Sequence, residues 1–180
     1  ALMLWAGADP YAKGVFDPCH EPDPEEDSSA LELAAFFGHF EIFKIKSIRL
    51  DPNHEISQDL LRSACYGRNS DFLKMFLDKG FSPMTMDDKG SSLIQTLLQS
   101  MSCYHYPFLF SRDDKDIDSS ESREMIKMIH MLARQGARWK PVDRYNINSA
   151  RRSLLKMRPD YIMEFIWIMS EYKSCTREAI

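Results

Sequence analysis

The sequence predicts an all-α fold, and three observations support that prediction. First, apolar residues recur at steps of three and four, the spacing that places side chains on one face of an α-helix. Four stretches show this periodicity, namely residues 31–45, 60–77, 125–132 and 161–169. Second, glycine-led turns follow amphipathic stretches at Gly7, Gly80 and Gly136, and glycine is a common signal of a helix end. Third, no stretch alternates apolar and polar residues for long enough to predict a strand of comparable strength.

Length and composition are typical of a soluble globular protein. The chain has 180 residues, of which 44% are hydrophobic and 28% charged, and a chain of this length can bury about 70% of its unfolded surface. Its formal net charge of −4 gives no general attraction to nucleic acid or anionic lipid, so both are disfavoured as partners. The longest apolar run, residues 161–169, is well short of the roughly 20 residues that span a bilayer. No membrane span is therefore expected.

The four cysteines indicate free thiols. Cys19, Cys65, Cys103 and Cys175 are far apart and form no CxxC pair, so the pattern favours neither a zinc knuckle nor a disulfide scaffold. Unpaired cysteines are typical of a reducing compartment, and we expect a cytoplasmic location. The chain opens on Ala1, and ALMLWAGADP has the pattern of a helix end followed by a turn, which predicts an incomplete first unit.

The recurring turns prompt a search for internal repeats. Residues 29–44, SALELAAFFGHFEIFK, resemble the ankyrin-repeat pattern TPLHLAAxxGHxEIVK. Ser29 stands in the place of Thr, Ala30 in the place of Pro, and Glu32 in the place of the usual His.

A second stretch, residues 60–98, resembles the same family along its whole length. Residues match at three places in the pattern. Leu61, Ala64 and Cys65 occupy the positions of the Leu and paired Ala of the first helix, Gly80 ends the second helix, and Asp87, Gly90 and Ser92 match the next hairpin. The period of about 33 residues is that of ankyrin repeats.

This resemblance implies an all-α ankyrin-repeat solenoid of helix–turn–helix units, with short hairpin loops and a helical C-terminal cap. We expect residues 1–180 to form one domain. Its predicted parts are a truncated repeat (1–13), an acidic loop (14–27), repeats 28–56, 57–86 and 87–140, an insertion within the last of these (100–122), and a divergent repeat or cap (141–180).

The chain departs from the family pattern at several places. Residues 14–27 insert an acidic, proline-rich loop, residues 50–57 are too short for a full hairpin, and residues 100–122 separate the two helices of one repeat. Arg68 stands where the turn glycine is expected. In the C-terminal unit we expect helices over residues 148–157 and 159–173, with Pro159 in the first turn of the second helix.

Candidate catalytic and metal-binding residues are better explained structurally. Gly38 is expected to permit a tight interhelical turn, with His39 hydrogen-bonding across that turn or to a neighbouring unit. The acidic cluster within residues 17–23 lacks a second ligand pair for zinc, and residues 112–118 lack the glycine and terminal glutamate of a calcium loop. We therefore expect no catalytic residue, no cofactor and no metal.

The predicted function is protein–protein interaction on the concave surface that ankyrin-type solenoids present. The candidate partner-binding residues are Phe36, Phe37, Tyr66, Met86, Asp88, Lys89, Gln99, Trp139, Arg151 and Arg152. Phe36 and Phe37 either contact a partner or are covered by residues 14–27, and the sequence leaves both open. Arg151 and Arg152 belong to a basic cluster that serves either as a solvated helix face or as a site for an acidic partner. We expect a monomer.

Two alternatives remain. The chain is either the interaction module itself or a C-terminal substrate-docking or regulatory domain of a larger enzyme whose catalytic part lies upstream. In a further regulatory variant, the 100–122 insertion folds into the groove and blocks it.

Overall fold

The structure is a computed structural model that describes residues 9–14, 28–45, 48, 50–53, 56–87, 89–100, 119–140 and 144–173. Over these residues the protein is mostly α-helical with little strand, which confirms the predicted all-α class. The chain forms two compact units, Ala1–Phe81 and Ser82–Ile180, and each is described by itself. The predicted repeat boundaries stay predictions.

In the described part of unit 1, a short pair of strands leads into a helix. Strand β1 (Lys13–Gly14) pairs antiparallel with β2 (Ser28–Ser29), and helix α1 (Ala30–Phe37) follows directly. The Ser29 hydroxyl accepts a hydrogen bond from the Glu32 backbone N–H at 3.2 Å, and the Glu32 carboxylate accepts one from the Ser29 N–H. This reciprocal capping box satisfies two backbone donors at the helix start. Glu32, which departs from the family pattern, therefore has a local structural role.

The described residues after α1 in unit 1 form a short 3₁₀ helix and two α-helices. The 3₁₀ helix is Phe40–Lys44, and α2 (Ile56–Tyr66) and α3 (Ser70–Asp78) follow. The apolar periodicity over residues 31–45 predicted α-helix on both sides of Gly38. The second part is instead 3₁₀, the form that isolated pieces of a few residues commonly adopt. Just after α3, Gly80 has a left-handed φ of 90°, as the glycine signal predicted.

Small residues bring α1 and α2 close together. Helix α1 packs on α2, and α2 packs on α3. Ala34 and Ala35 of α1 are buried, as are Ala64 and Cys65 of α2, so short side chains line this contact and let the backbones approach. The burial of Leu61, Ala64 and Cys65 agrees with their expected places in a first helix.

Phenylalanines fill the other side of unit 1. Phe40 and Phe43 of the 3₁₀ helix lie with their ring centroids 4.4 and 5.0 Å from that of Phe72 on α3. Phe76 continues the row, with its ring centroid 5.1 Å from that of Phe81. Such offset and edge contacts stabilise a core beyond the area they bury.

Unit 2 begins with a hairpin, and its described residues form four helices. Met86 and Ser92 form an antiparallel bridge before α4 (Leu93–Ser100). Helices α5 (Ser119–Arg134), α6 (Arg144–Leu155) and α7 (Pro159–Glu171) follow. Helix α4 packs on α5 and on α6, while α5 packs on α7.

Two predicted helix signals in unit 2 are confirmed and one boundary is corrected. Gly136, just after α5, has a left-handed φ of 91°, and Pro159 lies in the first turn of α7. Helix α6 starts at Arg144, whereas the sequence predicted a start at Asn148. The extra turn contains Asn146 and no apolar stripe, so hydrophobic periodicity could not detect it. No helix in the described ranges combines the length and the apolar character that a membrane crossing requires.

Candidate functional site

The end of α1 places two phenylalanines at the surface of unit 1. Phe37 is 37% exposed and Phe36 is half-buried, with their ring centroids 5.0 Å apart in an edge-on arrangement. The ring of Phe37 also lies 6.2 Å from that of His39. Phe37 is therefore accessible, as its predicted role requires. Residues 15–27, the alternative cover, lie outside the described part of the chain.

Gly38 adopts the predicted tight turn, but the hydrogen bond expected of His39 is made by a different residue. Gly38 has a φ of 79°, and a β-carbon there would lie 3.0 Å from the Asn69 Oδ1 atom. His39 is exposed, and its imidazole makes no hydrogen bond to any other described residue. The expectation for His39 was wrong.

Asn69 makes the connection between the two helical segments. Its side-chain N–H group donates to the Ala35 carbonyl at 3.0 Å and to the Phe36 carbonyl at 2.6 Å. These carbonyls belong to the last turn of α1, where no further helix residue can satisfy them. The aligned turns held a signal for this role, because Asn69 follows Arg68 as His39 follows Gly38.

The turn between α2 and α3 lies directly against the end of α1. A β-carbon at Gly67 would come within 2.0 Å of the Phe36 carbonyl oxygen, so only glycine fits there. Arg68 has a left-handed φ of 54°, the conformation that the missing turn glycine would adopt. The sequence did not single out Gly67. Tyr66, the preceding candidate, is half-buried at the end of α2.

The hairpin of unit 2 holds the next candidates. The Asp87 backbone N–H donates to the Ser91 carbonyl at 3.0 Å, and the Ser91 N–H donates to Asp87 Oδ1 at 2.6 Å. Gly90 supplies the positive φ of 79° that closes this turn. Met86 is 39% exposed and Lys89 is also exposed. Asp88 lies outside the described residues.

Trp139 belongs to the core of unit 2. It is buried, and its indole N–H donates to the Gln95 Oε1 atom at 2.7 Å. Its ring also packs edge-on against Phe165 at 5.9 Å. A buried indole needs a hydrogen-bond partner, and no sequence pattern indicated that Gln95 would supply it. Trp139 is therefore not available to contact a partner. Gln99, another candidate, is half-buried on α4.

The basic candidates lie on α6. Arg151 and Arg152 are both exposed. Nearby, Arg158 forms an ion pair with Asp160, with 2.9 Å between Arg158 Nη2 and Asp160 Oδ2. Ion pairs as exposed as this one contribute little to stability. The guanidinium groups of Arg151 and Arg152 remain accessible to an anionic group.

The described residues offer little for catalysis. No group of three His, Cys, Asp or Glu side chains among them is arranged to hold a metal ion. Cys65 is buried, and desolvation raises the pKa of its thiol to about 12. A thiol nucleophile needs its thiolate form, so Cys65 is unsuited to that role at neutral pH. The acidic clusters at residues 17–23 and 112–118 lie outside the described ranges.

Comparisons of the chain with protein-family models, with curated proteins and with solved structures found no match. The ankyrin resemblance therefore stays a prediction from the residues quoted above.

Proposed function

We propose that this chain is an ankyrin-repeat protein that binds another protein and catalyses no reaction itself. The observation that carries the proposal is the exposure of Phe37 and Met86, at 37% and 39%. Both are large apolar side chains at turns. Fully burying such a side chain contributes about 1.5–3 kcal/mol. Because only a little over a third of the Phe37 and Met86 surfaces remains to be buried, each would contribute about 0.5–1 kcal/mol as one of several interface anchors.

The anchor in unit 1 is held in a rigid setting. Phe37 is the last residue of α1 and precedes Gly38, whose turn lies against Asn69. Asn69 in turn fixes the carbonyls of Ala35 and Phe36. A side chain presented by such a fixed backbone loses little entropy on binding, which favours affinity.

The hairpin of unit 2 contributes a different kind of contact. Met86 offers a flexible thioether that adapts to irregular apolar surfaces. Lys89 places a positive charge in the turn of the hairpin, three residues from each of the bridged residues Met86 and Ser92. Charges around apolar anchors mainly set orientation and association rate. We infer that the partner presents apolar pockets bordered by acidic groups.

The experiment first identifies a partner by affinity purification from native cells with mass spectrometry. Its affinity is then measured for the wild type and for the triple variant Phe37→Ala, Tyr66→Ala and Met86→Ala. Removing the side chains of Phe37, Tyr66 and Met86 together should raise the dissociation constant at least about tenfold. Lys74→Ala, at an exposed position of α3 outside the proposed anchors, is the control and should bind like the wild type. Unchanged affinity of the triple variant would contradict the proposal that these side chains contact the partner.

A second candidate function is a docking or regulatory domain of a larger enzyme. The complete coding sequence distinguishes the two, because that function requires a catalytic motif upstream of Ala1. In the regulatory form of this function, the 100–122 insertion blocks the groove. Residues 101–118 of that insertion lie outside the described part of the chain. Deleting residues 101–118 should then increase partner affinity, and unaltered binding would argue against it.

A further inference from the structure

The last helix of unit 2 has an exposed apolar face. Met163 is 64%, Ile166 51% and Trp167 54% exposed. Steps of three and four residues place these side chains on one face of α7. The opposite face is buried in unit 2, so α7 is apolar on two sides. A soluble helix normally has one apolar side, and a second one indicates a contact with another surface.

The corresponding face of α5 is covered by a helix. Helices α5 and α7 are each followed, two residues after their last residue, by a left-handed residue, Gly136 with a φ of 91° and Lys173 with a φ of 48°. When the helices are aligned on these residues, Met163 corresponds to Ile126 and Ile166 to Ile129.

In α5, Ile126 and Ile129 are buried. His130, which corresponds to Trp167, contacts α7 directly, since its Nε2 atom lies 2.9 Å from the Tyr172 hydroxyl. Its ring centroid also lies 6.3 Å from that of Trp167. Helix α7 therefore has a face that corresponds to the one with which α5 packs against a helix, but on α7 this face is exposed.

Acidic residues border one edge of the open face. Glu164 and Glu171 are exposed and lie three residues before and four residues after Trp167, which places them along its edge of the helix. Neither carboxylate forms an ion pair with another described residue. A helix that packs on this face would match it best with an apolar side chain bordered by cations.

Helix α6 has that chemistry. Leu155 is 78% exposed, and Arg151 and Arg152 precede it by four and three residues, so the three side chains share one side of α6. Tyr145 adds a second exposed large side chain on the same helix. Because Leu155 and Trp167 are both exposed within one chain, α6 does not cover α7 of its own molecule. A contact between these two faces would therefore join two molecules.

We propose that the open face of α7 packs against α6 of a second copy of this chain, and that the reciprocal contact forms a two-fold symmetric dimer. A two-fold interface repeats each contact, so Glu164 and Glu171 of each copy meet Arg151 and Arg152 of the other. The dimer departs from the monomer expected from the sequence. It uses none of the apolar anchors of the proposed partner surface, so either proposal can fail without the other.

Sedimentation equilibrium of the full chain tests the dimer. Loading concentrations from about 1 to about 100 µM cover the range in which modest interfaces dissociate. The mass should rise from the monomer value of 21.0 kDa towards twice that value. The variant Ile166→Glu should raise the dissociation constant at least about tenfold. Met84→Glu, at another exposed apolar position of unit 2, should leave it unchanged.

A charge exchange tests which helices meet. The variant Glu164→Lys with Glu171→Lys, and the variant Arg151→Glu with Arg152→Glu, should each be monomeric because like charges then face each other. An equimolar mixture of the two should form a heterodimer, since one contact keeps its native charges and the other has both signs reversed. All four positions are exposed, so circular dichroism should show folded variants.

The outcomes separate clearly. A wild type that stays monomeric throughout the concentration range overturns the proposal. A dimer that Ile166→Glu does not weaken also overturns it. A dimer that Ile166→Glu dissociates, but whose charge variants do not associate when mixed, shows that α7 meets something other than α6.

Discussion

The side-chain amide of Asn69 lies 2.6 Å from the backbone oxygen of Phe36 and 3.0 Å from that of Ala35. One residue in the turn between α2 and α3 thus satisfies two carbonyls at the end of α1. A helix end leaves its last four carbonyls without partners in the helix. Asn69 donates hydrogen bonds to two of these carbonyls, those of Ala35 and Phe36, from 34 and 33 residues further along the chain. The hydrogen bonds therefore join parts of unit 1 that are remote in sequence. This connection fixes the turn beside the exposed Phe37.

Asn69→Ala should lower the free energy of unfolding by about 1–3 kcal/mol, because both carbonyls lose their donor in a partly buried place. His39→Ala, at the equivalent turn position, should change it by less than about 0.5 kcal/mol, as is usual for an exposed side chain. Urea unfolding followed by circular dichroism measures both values. Equal effects of the two substitutions would show that Asn69 has no special connecting role.

Gly67→Ala should destabilise the protein by about 3 kcal/mol or more, because its β-carbon would lie 2.0 Å from the Phe36 oxygen and backbone atoms cannot move aside cheaply. Two control variants separate crowding from backbone conformation. Gly80 has a φ of 90°, but a β-carbon there would have no neighbour within 4 Å. Gly80→Ala should therefore lower the free energy of unfolding by about 1–2 kcal/mol. Gly14→Ala has neither problem and should be nearly neutral. The idea fails if Gly67→Ala is no worse than Gly80→Ala.

Local features of the fold could be predicted because short-range rules determine them. Glycine after an amphipathic stretch indicated the left-handed residues Gly80 and Gly136, since a residue without a β-carbon adopts that conformation without strain. Pro159 indicated the start of α7, since a helix start needs no N–H there. The pattern from Asp87 to Ser92 likewise indicated a hairpin, and the structure contains one.

The missing features depend on contacts between distant residues. Gly67 is required only because Phe36 lies against it, and nothing in the residues around Gly67 reveals that neighbour. Trp139 was among the residues predicted at the concave surface, but Gln95 provides a buried acceptor for its indole. Arg68 shows the opposite case, where tertiary structure imposes a left-handed conformation on a residue that does not favour it. Among the candidate site residues, exposure of Phe37 and Met86 agrees with the sequence prediction, and the burial of Trp139 does not.

Gln95→Leu should lower the free energy of unfolding by about 1–3 kcal/mol, because the indole N–H of Trp139 would then be buried without an acceptor. Trp139→Phe in the Gln95→Leu background removes that donor and should restore part of the loss. A double-mutant cycle measures the coupling directly. Coupling within error of zero would show that the 2.7 Å contact contributes nothing specific.

Cys65 should make the protein less stable at alkaline pH. Burial raises the pKa of its thiol to about 12 from an ordinary value of 9.0, and the nearby Arg62 lowers it by a smaller amount. Between these values the unfolded chain loses the thiol proton while the native protein keeps it, so the unfolded state binds fewer protons. The free energy of unfolding should therefore fall by up to about 1.4 kcal/mol per pH unit above pH 9. Below pH 9 the thiol contributes no pH dependence.

The measurement compares two proteins in which Cys19, Cys103 and Cys175 are replaced by serine, one with Cys65 and one with Cys65→Ala. Tyrosines and lysines titrate in the same range, but they are common to both proteins and cancel in the difference. Cys65→Ala will lower stability at neutral pH because it leaves a cavity. The difference between the free energies of unfolding of the two proteins should narrow steadily from pH 9 upwards, because the protein with Cys65 loses stability faster. Parallel curves would mean that the Cys65 thiol ionises as readily in the native protein as in the unfolded chain.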